Sequence, residues 1–148
     1  MKKIYVYIGT SYKSIRQKEG AYGYVLEYPT PKGPATLTNV KAIKDASQYK
    51  AELAALVEAV KRLKQPCDLE IFTDLAYVSD TWEREFPQRW AERDWKNSKG
   101  EDKDIANKEE WQELMRLLTG NVVFHLNEEH TYKQWLKREL EKKGEENV

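Results

Sequence analysis

Asp74 closes the short apolar run Leu69-Glu70-Ile71-Phe72-Thr73-Asp74, and Glu52 rides the first turn of the helical stretch before it. A strand that stops on a carboxylate sets that charge at the carboxyl edge of a sheet, where α/β folds open their ligand crevices. A second carboxylate arriving from the preceding helix can converge on the same spot. Two hard oxygen donors are the minimum for holding magnesium. A plainer account exists for each: Glu52 as a glutamate favoured by its helix dipole, Asp74 as the cap of the next helix.

The elements that must place these carboxylates follow from patterning. Ile4 to Ile8 alternates as a strand, and Ser11 to Gly20 is a polar loop with Lys13, Arg16 and Lys18. Ala21 to Tyr28 is a second strand, Pro29 to Pro34 a turn, and Ala35 to Ile43 a third strand, giving an antiparallel meander. Ser47 caps a helix whose Leu53, Leu56, Val57, Val60 and Leu63 recur at helical spacing until Pro66. Asp68 to Thr73 is short and apolar, as expected of a parallel strand after a crossover helix. Helical pieces then fill Ala76 to Trp95 with a break at Pro87, and Lys96 to Ala106 reads as a polar loop. Asn107 and Glu110 resemble a capping box for a helix closed by Gly120. Val122 to Leu126 is a fifth strand, and a last helix carries Tyr132, Trp135, Leu136 and Leu140. The expectation is one domain over 1–143 with a frayed, charged tail at 144–148.

Composition bounds the rest. A chain of 148 residues, 40% hydrophobic with five Trp and nine Tyr, can bury a core without disulfides. No apolar run approaches the ~20 residues of a membrane span, and the first residues enter a strand pattern without a signal-peptide block. One cysteine, Cys67, forms no internal disulfide, which points to a reducing cytoplasm, and it reads as a small core residue. Basic and acidic residues number 25 each, so any nucleic-acid surface must be local. From Thr81 to Lys108 seven basic residues face seven acidic ones, a poor phosphate clamp.

The order of elements, and five segments in that order, resemble the ribonuclease H family over nearly the whole chain. Gly20-Ala21-Tyr22-Gly23-Tyr24-Val25-Leu26 is similar to its glycine-rich second strand, and Gln48-Tyr49-Lys50-Ala51-Glu52-Leu53 to its helix opening. Ile71-Phe72-Thr73-Asp74-Leu75-Ala76-Tyr77-Val78 resembles its threonine-aspartate segment. Trp90 to Trp111, with Asp94-Trp95-Lys96 and Asn107, is similar to its substrate-handling insertion, and Glu110-Trp111-Gln112-Glu113-Leu114 to the helix that follows. The resemblance implies an α/β fold with a five-stranded mixed sheet, three antiparallel strands then two parallel, flanked by helices.

It also implies chemistry. In that family four carboxylates hold two magnesium ions, and metal-bound water attacks the RNA strand of an RNA–DNA hybrid. Glu52 and Asp74 match two of the four positions and are the expected ligands for magnesium or manganese. The first-strand position is Gly9, followed by Thr10 and Ser11; the terminal-helix position falls near Leu136, with Glu139 one turn later. His130 resembles the family's loop histidine, or else is an exposed residue ahead of Thr131. Nucleic-acid contacts are expected from Lys13, Arg16, Gln48, Tyr49, Trp90, Trp95 and Lys96. The tryptophans stack on bases or sugars, or else anchor a short helix to the domain. Leu75 and Ala76 stand where the family has serine and glutamine.

Two functions remain open on these residues. One is a divergent, magnesium-dependent endonuclease on the RNA strand of hybrids with weakened catalysis. The other is an inactive module that binds nucleic acid or a protein.

Overall fold

The computed structural model describes residues 1–97 and 100–146. Alternation decides which way the first strands face. In β1 (Lys3–Thr10) Ile4, Val6 and Ile8 are buried on one face, and Tyr5, Tyr7 and Gly9 take the other. β2 (Gly20–Thr30) and β3 (Gly33–Ile43) complete the antiparallel meander, with Gly9 opposite Gly23. The expected turn at 29–34 is tighter than the prolines suggest, because Pro29 and Pro34 face each other within the ladder. Alternate pairs of an antiparallel ladder exchange no N–H bonds, so proline fits at such a pair without cost.

Ser47 Oγ accepts the Lys50 N–H at 3.1 Å and starts α1 (Gln48–Lys61). β4 (Asp68–Thr73) then lies parallel to β1, with Tyr7 level with Phe72. Next come α2 (Ala76–Glu83), α3 (Phe86–Glu92), a hairpin of β5 (Lys96–Asn97) and β6 (Gly100–Asp104), and α4 (Lys108–Leu117). β7 (Val122–Leu126) pairs parallel with β4, and α5 (Lys133–Glu145) ends the fold. The sheet order is β3-β2-β1-β4-β7, a mixed sheet of three antiparallel strands and two parallel additions. Among the described residues no helix is long and apolar enough to cross a membrane.

Two layers cover the sheet. α1 and α4 bury the face carrying Val6, Tyr24, Leu26 and Ile71, where Trp111 is fully enclosed. α5 covers the opposite face of the meander with Leu136 and Leu140 against Ala21. That second layer brings the last helix onto the strand end where the first functional position lies.

Several sequence expectations are corrected. The 96–106 loop contains the β5–β6 hairpin, joined at Lys96 and Asp104 by an ion pair of 2.8 Å; its polar residues gave no apolar alternation to reveal it. Asn107 does not cap through its side chain. It adopts a left-handed backbone, φ 59°, and its Nδ2 donates to Tyr77 Oη at 3.3 Å. The last helix continues to Glu145, into the segment expected to fray, because Gly144 packs beside Ser11: a Cβ there would sit 2.8 Å from Ser11 Oγ.

Gly120 permits the close approach that seats β7 on β4. A Cβ on it would lie 2.3 Å from the Cys67 carbonyl oxygen. Gly120→Ala is expected to cost about 1–3 kcal/mol through forced backbone movement, seen as a lower denaturant midpoint at unchanged m-value.

Candidate functional site

At the carboxyl edge of β1 and β4 a cleft of about 480 Å³ opens. Its walls come from the end of β1, the start of α1, the β4–α2 turn, the loop before α5, and the first turns of α5 itself. Asp74, His130, Gln48 and Lys13 all line it, so the structure brings together four residues scattered through the sequence. Gly9 and Asp74 each lie two residues beyond the last paired residues, Tyr7 and Phe72, so both stand at the same end of the β1–β4 pair.

Glu52 is near this cleft in sequence logic but not in its lining. Its side chain is almost wholly buried, at 1% exposure, and Oε1 accepts the Val78 N–H at 3.0 Å. Val78 is the third residue of α2, and the N-cap residue Leu75 supplies no side-chain cap. Glu52 therefore caps α2 from α1, a role that neither plain account foresaw. Oε2 is buried with no hydrogen-bond partner. Burial pushes the Glu52 carboxyl up to about 8, only partly countered by the Val78 bond, which favours the neutral acid over much of the ordinary pH range.

Asp74 is the reverse case. Its side chain is 59% exposed and meets Lys133 Nζ at 3.3 Å. Thr73 Oγ1, not Asp74, accepts the Leu75 N–H at the entrance to α2. Lys133 also reaches Glu129 at 3.6 Å, so one ammonium serves two carboxylates.

Above Gly9 the space is apolar. A Cβ at Gly9 would lie 3.0 Å from Leu140 Cδ1 and 3.4 Å from Leu136 Cδ2. The position expected near Leu136 thus carries a methyl-rich wall made by two leucines one turn apart. Glu139 does not turn toward the cleft; it pairs with Lys142 at 3.3 Å on another side of α5. The α5 carboxylate that does line the cleft is Glu141, 3.7 Å from Lys13.

His130 is half-buried over Tyr7, ring centroids 4.4 Å apart, and its Nδ1 accepts the Tyr132 N–H at 3.2 Å. Burial and then the Lys133 charge hold its pKa below the usual imidazole value. His125 lies between Glu70 and Glu128 and stacks on Phe72, a structural placement.

The remaining expected contacts divide. Tyr49 stacks on Tyr77 at 4.4 Å and keeps an exposed edge near Gln48. Arg16 is exposed on the β1–β2 loop, outside the cleft lining. Trp95 is 8% exposed and Trp90, half-buried, packs against both Trp95 and Trp111, so these rings anchor the insertion. Lys96 is engaged with Asp104 in the hairpin. The residues that sequence reasoning passed over are Lys133 and Lys137, whose spacing of four on α5 places both on one face toward the cleft.

Opposing the repulsion of two dications needs several ionised oxygens converging within a few ångströms. Here Gly9 has no side chain, Glu52 is buried and bonded to a helix end, and Asp74 already faces an ammonium. Among the described residues no group of three or more His, Cys, Asp or Glu side chains is placed to hold a metal ion. The donor set does not fit a pair of magnesium ions.

The mixed sheet with this strand order and a cleft at the β1–β4 edge is the frame that the comparisons also find. The chain belongs to the RNase H family, whose model matches residues 1–133. It is similar to the ribonuclease H of Clostridium botulinum, 34% identical over 125 residues that span 83% of this chain and 80% of that one. The ribonuclease H of Acetivibrio thermocellus is 30% identical over 117 residues, 79% of this chain and 75% of the relative. Among solved structures, LC9-RNase H1, described as a type 1 RNase H with the type 2 active-site motif, superposes with a TM-score of 0.76 at 18% identity. It covers 99% of this chain and 74% of its own. The foamy viral protease-reverse transcriptase in complex with RNA/DNA hybrid gives 0.68 at 17% identity, covering 99% of this chain and 20% of that one.

The raised pKa of Glu52 has a sign that can be checked. A carboxyl whose folded value exceeds its unfolded value, near 4.5, contributes stability that is full below about pH 4.5 and is lost as pH rises toward 8. Other carboxylates shift the other way, so the contrast with a neutral isostere isolates the effect. Glu52→Gln can still accept the Val78 N–H, and its melting temperature relative to the wild type should rise between pH 6 and 9. The gain expected at pH 9 is on the order of a few kcal/mol.

Proposed function

We propose that this chain is a nucleic-acid-binding member of the RNase H family that engages RNA–DNA hybrids without two-metal hydrolysis. The observation that carries the reading is the apolar filling above Gly9: Leu136 and Leu140 occupy the space from which two further carboxylates would have to act. The salt bridge of Asp74 to Lys133 supports it, since an ammonium sits where a dication would be needed. Hybrid as the ligand is supported by family membership and by two relatives of the same fold, the foamy viral enzyme and LC11-RNase H1, both solved with RNA/DNA hybrid. LC11-RNase H1 superposes with a TM-score of 0.59 at 15% identity. A reducing, cytoplasmic setting for the single Cys67 is part of the proposal.

The hydrolytic reading keeps one specific support: Glu52 and Asp74 stand in family register, in a chain 34% identical to a ribonuclease H. One assay separates the two. Purified protein incubated with end-labelled hybrid and magnesium or manganese should retard the hybrid on a native gel and leave its RNA strand intact. Metal-dependent cleavage that Asp74→Asn removes would establish the nuclease instead.

Restoring the first-strand carboxylate alone is not expected to restore cleavage. In Gly9→Asp the new side chain meets leucine methyls, and burying an unpaired carboxylate there should cost about 2–4 kcal/mol in stability. Brisk hybrid cleavage by Gly9→Asp, with the melting temperature unchanged, would show that the α5 wall yields more readily than its packing implies.

A further inference from the structure

Resting on the nucleic-acid reading, we propose that the cleft holds a backbone phosphate directly through the ammonium groups of Lys133 and Lys137, with no metal between. Three lysines and three carboxylates line the cleft: Lys13, Lys133 and Lys137 against Asp74, Glu129 and Glu141. Their pairing is uneven. Lys133 is shared by Asp74 at 3.3 Å and Glu129 at 3.6 Å, and Lys13 meets Glu141 at 3.7 Å. Lys137 is exposed and belongs to no ion pair among the described residues.

The placement suits a phosphodiester. Lys133 and Lys137 are one helical turn apart and point to the same wall, so a single anion can meet both. The Lys133 side chain is 23% exposed, and its position is fixed by the carboxylates it bridges. Lys133 Nζ also donates to the Glu128 carbonyl oxygen at 3.4 Å, so its three N–H donors meet three acceptors, and a phosphate oxygen would take the place of the exposed Glu129 while Asp74 is kept. Thr10, Ser11 and Gln134 add uncharged polar groups to the same lining. The leucine wall over Gly9 forms an apolar side to the cleft, where an ion pair is screened less than on open surface.

This arrangement predicts an opposite sign for one substitution from a metal-based site. A metal bridging Asp74 to phosphate loses its ligand in Asp74→Asn, and binding falls. A lysine-held phosphate loses a repelling neighbour, and binding rises. The experiment measures the anisotropy of a fluorescent RNA–DNA hybrid in EDTA across a potassium chloride series. Wild-type protein should bind without divalent metal. Lys133→Gln and Lys137→Gln should each weaken binding about threefold to tenfold and make the salt slope shallower by about one, while Lys133→Arg keeps most affinity. Asp74→Asn should tighten it. The two lysines are changed separately, so a folding defect in one, checked by its melting curve, leaves the other as the test. Hybrid binding that neither lysine change alters overturns the phosphate site and leaves the binding function standing. Binding that requires magnesium, or that Asp74→Asn abolishes, overturns the lysine route in favour of metal. No hybrid binding by the wild type, even at low salt, overturns both readings.

Discussion

Contact between the α5 leucines and the end of β1 governs how the rest of the cleft is arranged. Gly9 has no side chain, so α5 can settle close enough for Leu136 and Leu140 to reach Ala21 and the strand end in one small apolar cluster. Once those methyl groups fill that volume, no carboxylate can occupy it without strain or an unpaired buried charge. The electrostatics of the neighbours follow. Asp74, at the open edge of the cleft, has Lys133 as its counter-charge. Glu52, facing a dry interior, is more stable neutral and serves as a cap for α2.

The two carboxylates thus differ in physical state. Exposure leaves Asp74 solvated and paired. Burial leaves Glu52 with one bonded and one orphaned oxygen. A pair of metals would require both to be ionised and convergent, whereas Glu52 is buried against α2 and held toward the neutral acid. The same frame of strands and helices that positions a nuclease centre here positions a lysine-edged cleft, which fits the general point that function lies in the site and not in the fold.

Much of the architecture was legible because it rests on local periodicity. Alternation in β1, the helical spacing of Leu53, Leu56 and Val60, and the stop at Pro66 each have one physical interpretation. The family segments then fixed the strand order. The β5–β6 hairpin escaped because its sequence carries no apolar alternation and its ends are held by the Lys96–Asp104 pair, a contact eight residues apart. Asn107 looked like a cap by type and spacing, yet its left-handed backbone gives its amide to Tyr77.

The site was half legible. Glu52 and Asp74 could be picked by register, and the loss at Gly9 by residue type. Which way Glu52 points depends on an α2 backbone N–H 26 residues away, and that is a tertiary fact. Glu139 stands one turn beyond Leu136, but the phase of α5 against the sheet is a tertiary fact: the structure turns Glu139 to Lys142 and sets Glu141 in the cleft lining. Lys133 carried no sequence signal beyond its spacing from Lys137. Its meaning appears only when α5 sets it beside Asp74. The most direct test of the central claim is a magnesium titration of the ¹⁵N-labelled protein followed by NMR. If the cleft does not cradle dications, millimolar magnesium should leave the Gly9, Thr10 and Leu75 amides essentially unmoved. Saturable shifts centred on those amides, lost in Asp74→Asn, would contradict it.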